Sequence, residues 1–235
     1  MTIPTENSIR NWFDGLYGSR QEHSMRPLAA YISFLDHLPV KAGEKLLDIG
    51  CGTGWLLKAA SERGLFTCGI DVSAEAVKLS RKNSPVSVVE LASVTKIPFP
   101  SETFDYITCI GVLEHFTDME KAFIEMKRVA KKSAMFCLMV PNSKTLYWKL
   151  GKCFSKGYRE SNENAFSLKE WQMLFEDHGM EIQQISRDDW RLRKLLGYLG
   201  ITSNSRLYNF IRHMVWSLIP LSRAHQFIYI LRIKS

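Results

Sequence analysis

Residues 45–54 read KLLDIGCGTG, which puts Asp48, Gly50, Gly52 and Gly54 at alternate positions beside an apolar run. A structural turn rarely needs three glycines. A backbone that must press against a ligand does, because glycine adopts positive φ and has no Cβ to hold the ligand away. Asp48 adds a carboxylate at the same spot, suited to a cation directly or to ordering the loop and a water. A second acid, Asp71, ends the stretch LFTCGID. A carboxylate there can accept hydrogen bonds from both hydroxyls of a ribose. It can equally cap the helix that begins in DVSAE, and both roles can hold together.

Two ligand classes fit this pair of motifs. A dinucleotide site usually reads GxGxxG, with pyrophosphate on the following helix N-terminus. Here the spacing is GxGxG and an acid directly precedes it, out of place against pyrophosphate. S-adenosylmethionine has no phosphate but carries an ammonium, a sulfonium and a ribose diol, and Asp48 suits that cationic ligand. Asp71 supports a nucleoside ligand of either class.

The elements that must position these groups alternate in type. Apolar runs at 45–49, 65–70, 86–91, 104–110 and 134–140 read as buried strands. Helical patterns fall between them, over 55–63, 71–83 with Ser73 as N-cap, and 119–130. Such alternation predicts a parallel sheet with helices on both faces, doubly wound because crossovers are right-handed. Ligands then bind beyond the carboxyl ends of the strands, where the glycine turn lies. Ser167 with Glu170 matches a capping box before a further helix, and 180–186 and 227–233 read as the last two strands.

LLDIGCGTG, then GIDVS, then IPFPSETFDYITCIGVLEHF resembles the class I S-adenosylmethionine-dependent methyltransferases, nearest the branch that includes ubiquinone and menaquinone biosynthesis methyltransferases. The match is good over about 45–140 and looser through 167–186 and the final strand. The resemblance implies a Rossmann-like α/β fold, a seven-stranded sheet of order 3-2-1-4-5-7-6 with strand 7 antiparallel. It implies S-adenosylmethionine as cofactor and S-adenosylhomocysteine as product. Gly50, Cys51 and Gly52 would line the methionine part, Asp71 and Val72 the ribose, Ser93 and Val94 the adenine. Ile110 and Gly111 would lie beneath the cofactor, and Tyr17 would close over it. Two departures stand out. The family often has an aspartate at the position of Ser93, where it accepts from the adenine amino group. Ubiquinone O-methyltransferase relatives often read EVLEH where this chain has GVLEH, so Gly111 replaces an acid associated with metal binding, and no metal is expected.

Methyl transfer from a sulfonium is an in-line displacement, so positioning can do much of the work. An oxygen acceptor can also need a base. His115 is the candidate by motif, with Glu114 to orient it or to hold the amino end of the cofactor. Both could instead serve only the packing and solvation of the loop. The resemblance thus implies methylation, with oxygen the first expectation, of a small-molecule or lipid-linked acceptor. The alternatives are a protein that binds S-adenosylmethionine without turnover and an NAD(P)-linked oxidoreductase.

The chain has 235 residues and a formal net charge of +7. The excess lies in 187–235, which hold nine basic and two acidic residues, while 1–186 balance at 22 of each. A helical cap at 1–42 is expected before a methyltransferase domain at 43–235, with substrate-lid insertions near 143–165 and 190–225. These segments are rich in aromatic and basic residues, which suits an apolar or aromatic acceptor with an anionic part. The segment 205–221 patterns as an amphipathic helix, with Leu207, Ile211, Met214, Val215 and Leu218 on one face. It would pack on the core as a lid or lie on a membrane surface. No basic start with an apolar run and no long uncharged apolar stretch occurs, so neither a secretory signal nor a membrane span is expected. A cytoplasmic location, with contact at the membrane surface as an option, follows. The five cysteines lack CxxC spacing, and Cys68, Cys109 and Cys137 read as buried free thiols. Motifs of nucleic-acid methylation are absent, so no nucleic-acid partner is expected.

Overall fold

The computed structural model describes residues 5–20, 26–145, 164–201 and 205–234. Two helices come first, α1 (Glu6–Arg20) and α2 (Leu28–Leu35). Then β1 (Lys45–Ile49), α3 (Trp55–Glu62), β2 (Phe66–Asp71), α4 (Ala74–Asn83) and β3 (Val88–Leu91) alternate. β4 (Phe104–Ile110), α5 (Met119–Val129) and β5 (Ala130–Pro141) complete the parallel half. α6 (Leu168–Asp177), β6 (Met180–Arg187), α7 (Trp190–Tyr198), α8 (Arg206–Leu218) and β7 (Gln226–Ile233) follow. The seven strands form one sheet in the order β3-β2-β1-β4-β5-β7-β6. β7 runs antiparallel between β5 and β6, as the resemblance implied.

The central strands are apolar because helices cover both of their faces. Leu47, Ile49, Phe104, Ile107 and Phe136 belong to one buried cluster, with Phe123 of α5 and Trp171 of α6. Leu46, Tyr106, Cys137 and Ile230 face the other, with Phe34 of α2 and Leu57 of α3. Alternate residues of one strand thus anchor opposite layers, which fixes the register β1 needs to aim Asp48. The capping box at Ser167 and Glu170 forms with both of its hydrogen bonds. Ser73 caps α4, its Oγ accepting from the Ala76 N–H at 3.2 Å.

Several boundaries differ from the sequence reading. β3 starts at Val88, because Ser84–Ser87 forms a turn closed by a 3.0 Å backbone bond. α4 starts at Ala74, since Asp71 remains in β2 and Ser73 is the cap. β5 starts at Ala130, directly off α5, and a register shift opposite Phe104 absorbs its longer start. α7 was not foreseen at all. α8 ends at Leu218 because Pro220 follows.

The apolar face of α8 is only partly covered, with Ile211 and Val215 half-buried. Leu207, Met214 and Leu218 are exposed, joined by Phe210. Tyr208, outside the expected face, is the buried residue of that helix, with its hydroxyl donating to Asp189 at 2.8 Å. The lid expected at 143–165 and the thiol Cys153 lie mostly or wholly outside the described residues. Of the other thiols, Cys51, Cys109 and Cys137 are buried and free, and Cys68 is half-buried. Among the described residues no helix is long and apolar enough to cross a membrane.

Candidate active site

The carboxyl ends of β1, β2, β3 and β4 open onto one cavity of about 650 Å³. From β1 and its turn, Asp48, Gly50, Cys51 and Gly52 line it, and Asp71 and Val72 do so from β2. Ser93 and Val94 stand after β3, and Ile110, Gly111, Glu114 and His115 after β4. Tyr17 lines it from α1. The cavity thus gathers every cofactor or catalytic candidate from the sequence except Gly54. That glycine stands behind the wall: a Cβ on it would lie 2.8 Å from the Ser80 Cα, so it lets α3 pack close to α4.

The glycine turn is held from below. The Gly50 and Cys51 N–H groups both donate to the Ile70 carbonyl, at 2.8 and 3.0 Å. Gly50 and Gly52 have φ of 67° and 51°. A Cβ on Gly50 would lie 2.5 Å from Val112, and one on Gly52 would lie 2.7 Å from the Tyr17 hydroxyl. Any side chain at Gly52 would therefore fill the gap between the turn and its cover. Asp71 ties this turn to the next one. Its Oδ2 accepts from the Gly52 N–H and its Oδ1 from the Ser73 N–H, each at 2.9 Å. An ionised carboxylate has about four acceptor positions, so with the Val72 backbone also donating, capacity remains for a ribose hydroxyl.

Asp48 and Asp71 are both buried. Burial pushes the Asp48 carboxyl up to about 7, against the Thr108 hydroxyl that donates to it at 2.7 Å. Repulsion from Asp71 adds to the rise. Burial likewise pushes Asp71 up to about 6, against its backbone donors. Two desolvated acids facing one cavity favour a cation and disfavour a pyrophosphate. Burial also raises the Cys51 thiol, which stays neutral and donates to Ser80 Oγ at 3.7 Å.

The Glu114–His115 pair sits in a short helical turn, Leu113–His115, entered through Gly111 at a φ of 70°. Both side chains are buried. The His115 ring meets the Phe13 ring edge-on, 5.2 Å between centroids. No group of three or more metal-ligating side chains occurs among the described residues.

α1 lines one side of the cavity through Glu6, Ile9, Trp12, Phe13 and Tyr17 and is pinned at several points. Asp14 accepts from the Ser73 hydroxyl at 2.6 Å, and Glu6 accepts from the Ser93 hydroxyl at 3.2 Å. The sequence reading missed both acids, and no local motif marks them. It also missed the far wall, built by Arg26, Lys194 and His225 with Tyr31 and Trp190. Arg26 is held there by Asp188 at 2.7 Å and by the Gln226 amide oxygen at 2.6 Å. These residues come from three separate segments, around 26–31, 188–194 and 225–226, so no one sequence window joins them.

The residues present fit S-adenosylmethionine: a side-chain-free turn, a buried acid at the end of β2, and a second buried acid for a cationic ligand. Comparison with known proteins agrees. A family described as "Methyltransferase domain" matches residues 47–138. Demethylmenaquinone methyltransferase of Lysinibacillus sphaericus is 33% identical over 174 residues, covering 63% of this chain and 74% of that relative. Ubiquinone biosynthesis O-methyltransferase of Hahella chejuensis is 31% identical over 139 residues, covering 55% of this chain and 56% of that relative. The crystal structure of the cyclase SpnF superposes with a TM-score of 0.68 at 15% identity, covering 100% of this chain and 98% of SpnF, a likeness of fold alone. The nicotinamide alternative falls with these findings. The chain belongs to the class I S-adenosylmethionine-dependent methyltransferases, and S-adenosylmethionine, with S-adenosylhomocysteine as product, is its cofactor.

Proposed function

We propose that the protein methylates an oxygen of a small-molecule or lipid-linked acceptor that carries an anionic part. The observation that carries this reading is the position of the buried Glu114–His115 turn on the wall of the cavity that the glycine turn lines. When bound, the cofactor supplies a methyl group already activated by its sulfonium. The residues of the chain then orient and exclude water. Asp71 and Val72 hold the ribose, Ser93 and Val94 border the adenine, and Ile110 and Gly111 form the floor. Asp48 and the turn Gly50–Cys51–Gly52 hold the methionine end, with Tyr17 as its cover. His115 takes the proton of an acceptor hydroxyl, and Glu114 orients the loop that carries it.

The acceptor lies against the far wall, where Trp190 and Tyr31 suit an aromatic ring and Arg26, Lys194 and His225 suit an anion. Two curated relatives are named for demethylmenaquinone and for ubiquinone biosynthesis, which supports a quinone-type precursor. In this reading residues 1–42 are a cap on a methyltransferase domain at 43–235, and 143–165 and 190–225 are substrate-lid insertions. The exposed apolar face of α8, in the basic last fifth of the chain, supports contact with an anionic membrane surface from the cytoplasmic side. Such contact would give access to a lipid-linked acceptor.

Incubation with methyl-labelled S-adenosylmethionine and a panel of phenolic quinone precursors, lipid-linked phenols and phosphorylated sugars tests the proposal. Label appearing as a methyl ether on one class supports it. Label on nitrogen or carbon refutes the oxygen assignment, and cofactor binding with no transfer to any class favours the binding-only alternative.

A further inference from the structure

The end of the cavity beside β3 contains a carboxylate that β3 does not provide. Ser93 follows β3 at the position where relatives often carry an acid. A hydroxyl has one proton and two lone pairs. Ser93 donates to Glu6 Oε2 at 3.2 Å, accepts from the Thr95 N–H at 3.2 Å, and lies 2.9 Å from Thr95 Oγ1. Its capacity is thus engaged within the protein. Glu6 is different. Ionised, it has about four acceptor positions and no donor. Ser93 uses one, and Arg10, itself 42% exposed, approaches Oε1 at 3.7 Å. Glu6 lines the cavity beside Ile9, Ala92 and Val94, apolar neighbours suited to a flat heteroaromatic ring.

We propose that Glu6 accepts the hydrogen bond of the adenine amino group, so that α1 replaces, from 87 residues away, the acid that the β3 loop lacks. The inference rests on the cofactor assignment and deepens it to the residue that reads the base. One helix then spans the cofactor: Glu6 at its adenine end, Tyr17 over Gly52 at its methionine end, and Asp14 on Ser73 between them. Ser93 acts as a positioning residue, holding the carboxylate in place. A different explanation of Glu6 is a first-turn acid that complements the positive end of α1. That role would have no effect on the choice of base.

Base preference therefore decides. S-inosylhomocysteine places an oxygen where S-adenosylhomocysteine has the amino group. Calorimetric titration of the full chain with both ligands should show the adenosine form bound about tenfold more tightly, as a bond to a charged acceptor predicts. Glu6→Gln keeps the shape but offers an amide that can donate to the inosine oxygen, so the preference should shrink to about twofold or less. Glu6→Ala should weaken S-adenosylhomocysteine binding by about tenfold, and adding Ser93→Asp should restore most of it. If the Glu6 variants keep wild-type affinity and preference, Glu6 does not read the base and the inference falls while the cofactor assignment stands. If the wild type binds neither ligand, the cofactor assignment falls and takes the inference with it.

Discussion

Asp48 and Asp71 reach the cavity from the ends of adjacent strands, while Glu6, Arg26 and Lys194 reach it from helices and connections spread over nearly the whole chain. The floor is fixed by backbone. Asp48 lies opposite Gly69 and Thr108 in the sheet register, and two backbone N–H groups hold the Asp71 carboxylate. The cover is fixed by side chains, through bonds such as Ser73 to Asp14 and Arg26 to Asp188. A backbone-built floor must be rigid, since it defines where the cofactor lies. A side-chain-built cover can open and change its lining, which suits the part that must admit ligands and discriminate among acceptors.

If that division is right, changes to the floor, and to Glu6 where α1 meets the base, should act on cofactor binding, and changes to the rest of the cover and the β4 loop on turnover and acceptor choice. The largest effect is expected from His115→Ala, which should lower turnover by about a hundredfold or more while cofactor affinity holds within about twofold. Unchanged turnover would remove His115 as the base. Asp71→Ala should weaken S-adenosylhomocysteine binding by more than about tenfold, because it removes the proposed ribose acceptor and frees the Gly52 N–H. Calorimetry reads this directly, with circular dichroism confirming the fold.

The two buried acids give the floor a pH signature. A cation binds their ionised forms, so affinity for S-adenosylmethionine should fall by about tenfold as pH drops from about 8 to about 5, through the raised values near 7 and 6. Asp48→Asn should flatten the upper part of that profile. The sign for stability is opposite. Between the ordinary carboxylate value and these raised values the folded chain holds protons that the unfolded chain releases. The ligand-free protein should therefore lose stability as pH rises through the window, and Asp48→Asn should lose less in thermal melts. Equal profiles for variant and wild type would contradict the burial argument.

Gly54→Ala sharpens the comparison within the floor. The added Cβ would meet Ser80 behind the cavity, at a φ of 78°. It should cost about 1–3 kcal/mol of stability in urea unfolding, while cofactor affinity of the folded protein stays near wild type. The smallest effect belongs to α8, none of whose residues line the cavity. Phe210→Ser with Leu218→Ser on α8 should reduce co-sedimentation with anionic phosphatidylglycerol vesicles by about threefold to tenfold and leave cofactor binding alone. No vesicle binding by the wild type would contradict the surface role.

The same division explains what the sequence disclosed. The floor comes from contiguous motifs, because a strand end and the turn after it deliver their residues together. Asp48 through Gly52, Asp71 with Val72, and Gly111 through His115 were legible for that reason, while the strand order came only from the family resemblance that these motifs carry. Gly54 carried the same signature as its neighbours, yet its backbone serves helix packing. The cover was not legible. Glu6 reads as an ordinary first-turn acid of α1, and nothing in its window points to Ser93. Arg26 is one basic residue among 31 Lys and Arg, and only the fold brings it to Asp188. The face of α8 was legible as amphipathic, but periodicity does not say what an apolar stripe packs on.

The most direct test of the account is calorimetric titration of the purified chain with S-adenosylhomocysteine and NAD in parallel. Saturable one-to-one binding of S-adenosylhomocysteine, lost in Asp71→Ala, with no heat from NAD, is the predicted result. Binding of NAD with none of S-adenosylhomocysteine would contradict the assignment of the floor, and with it everything built above that floor.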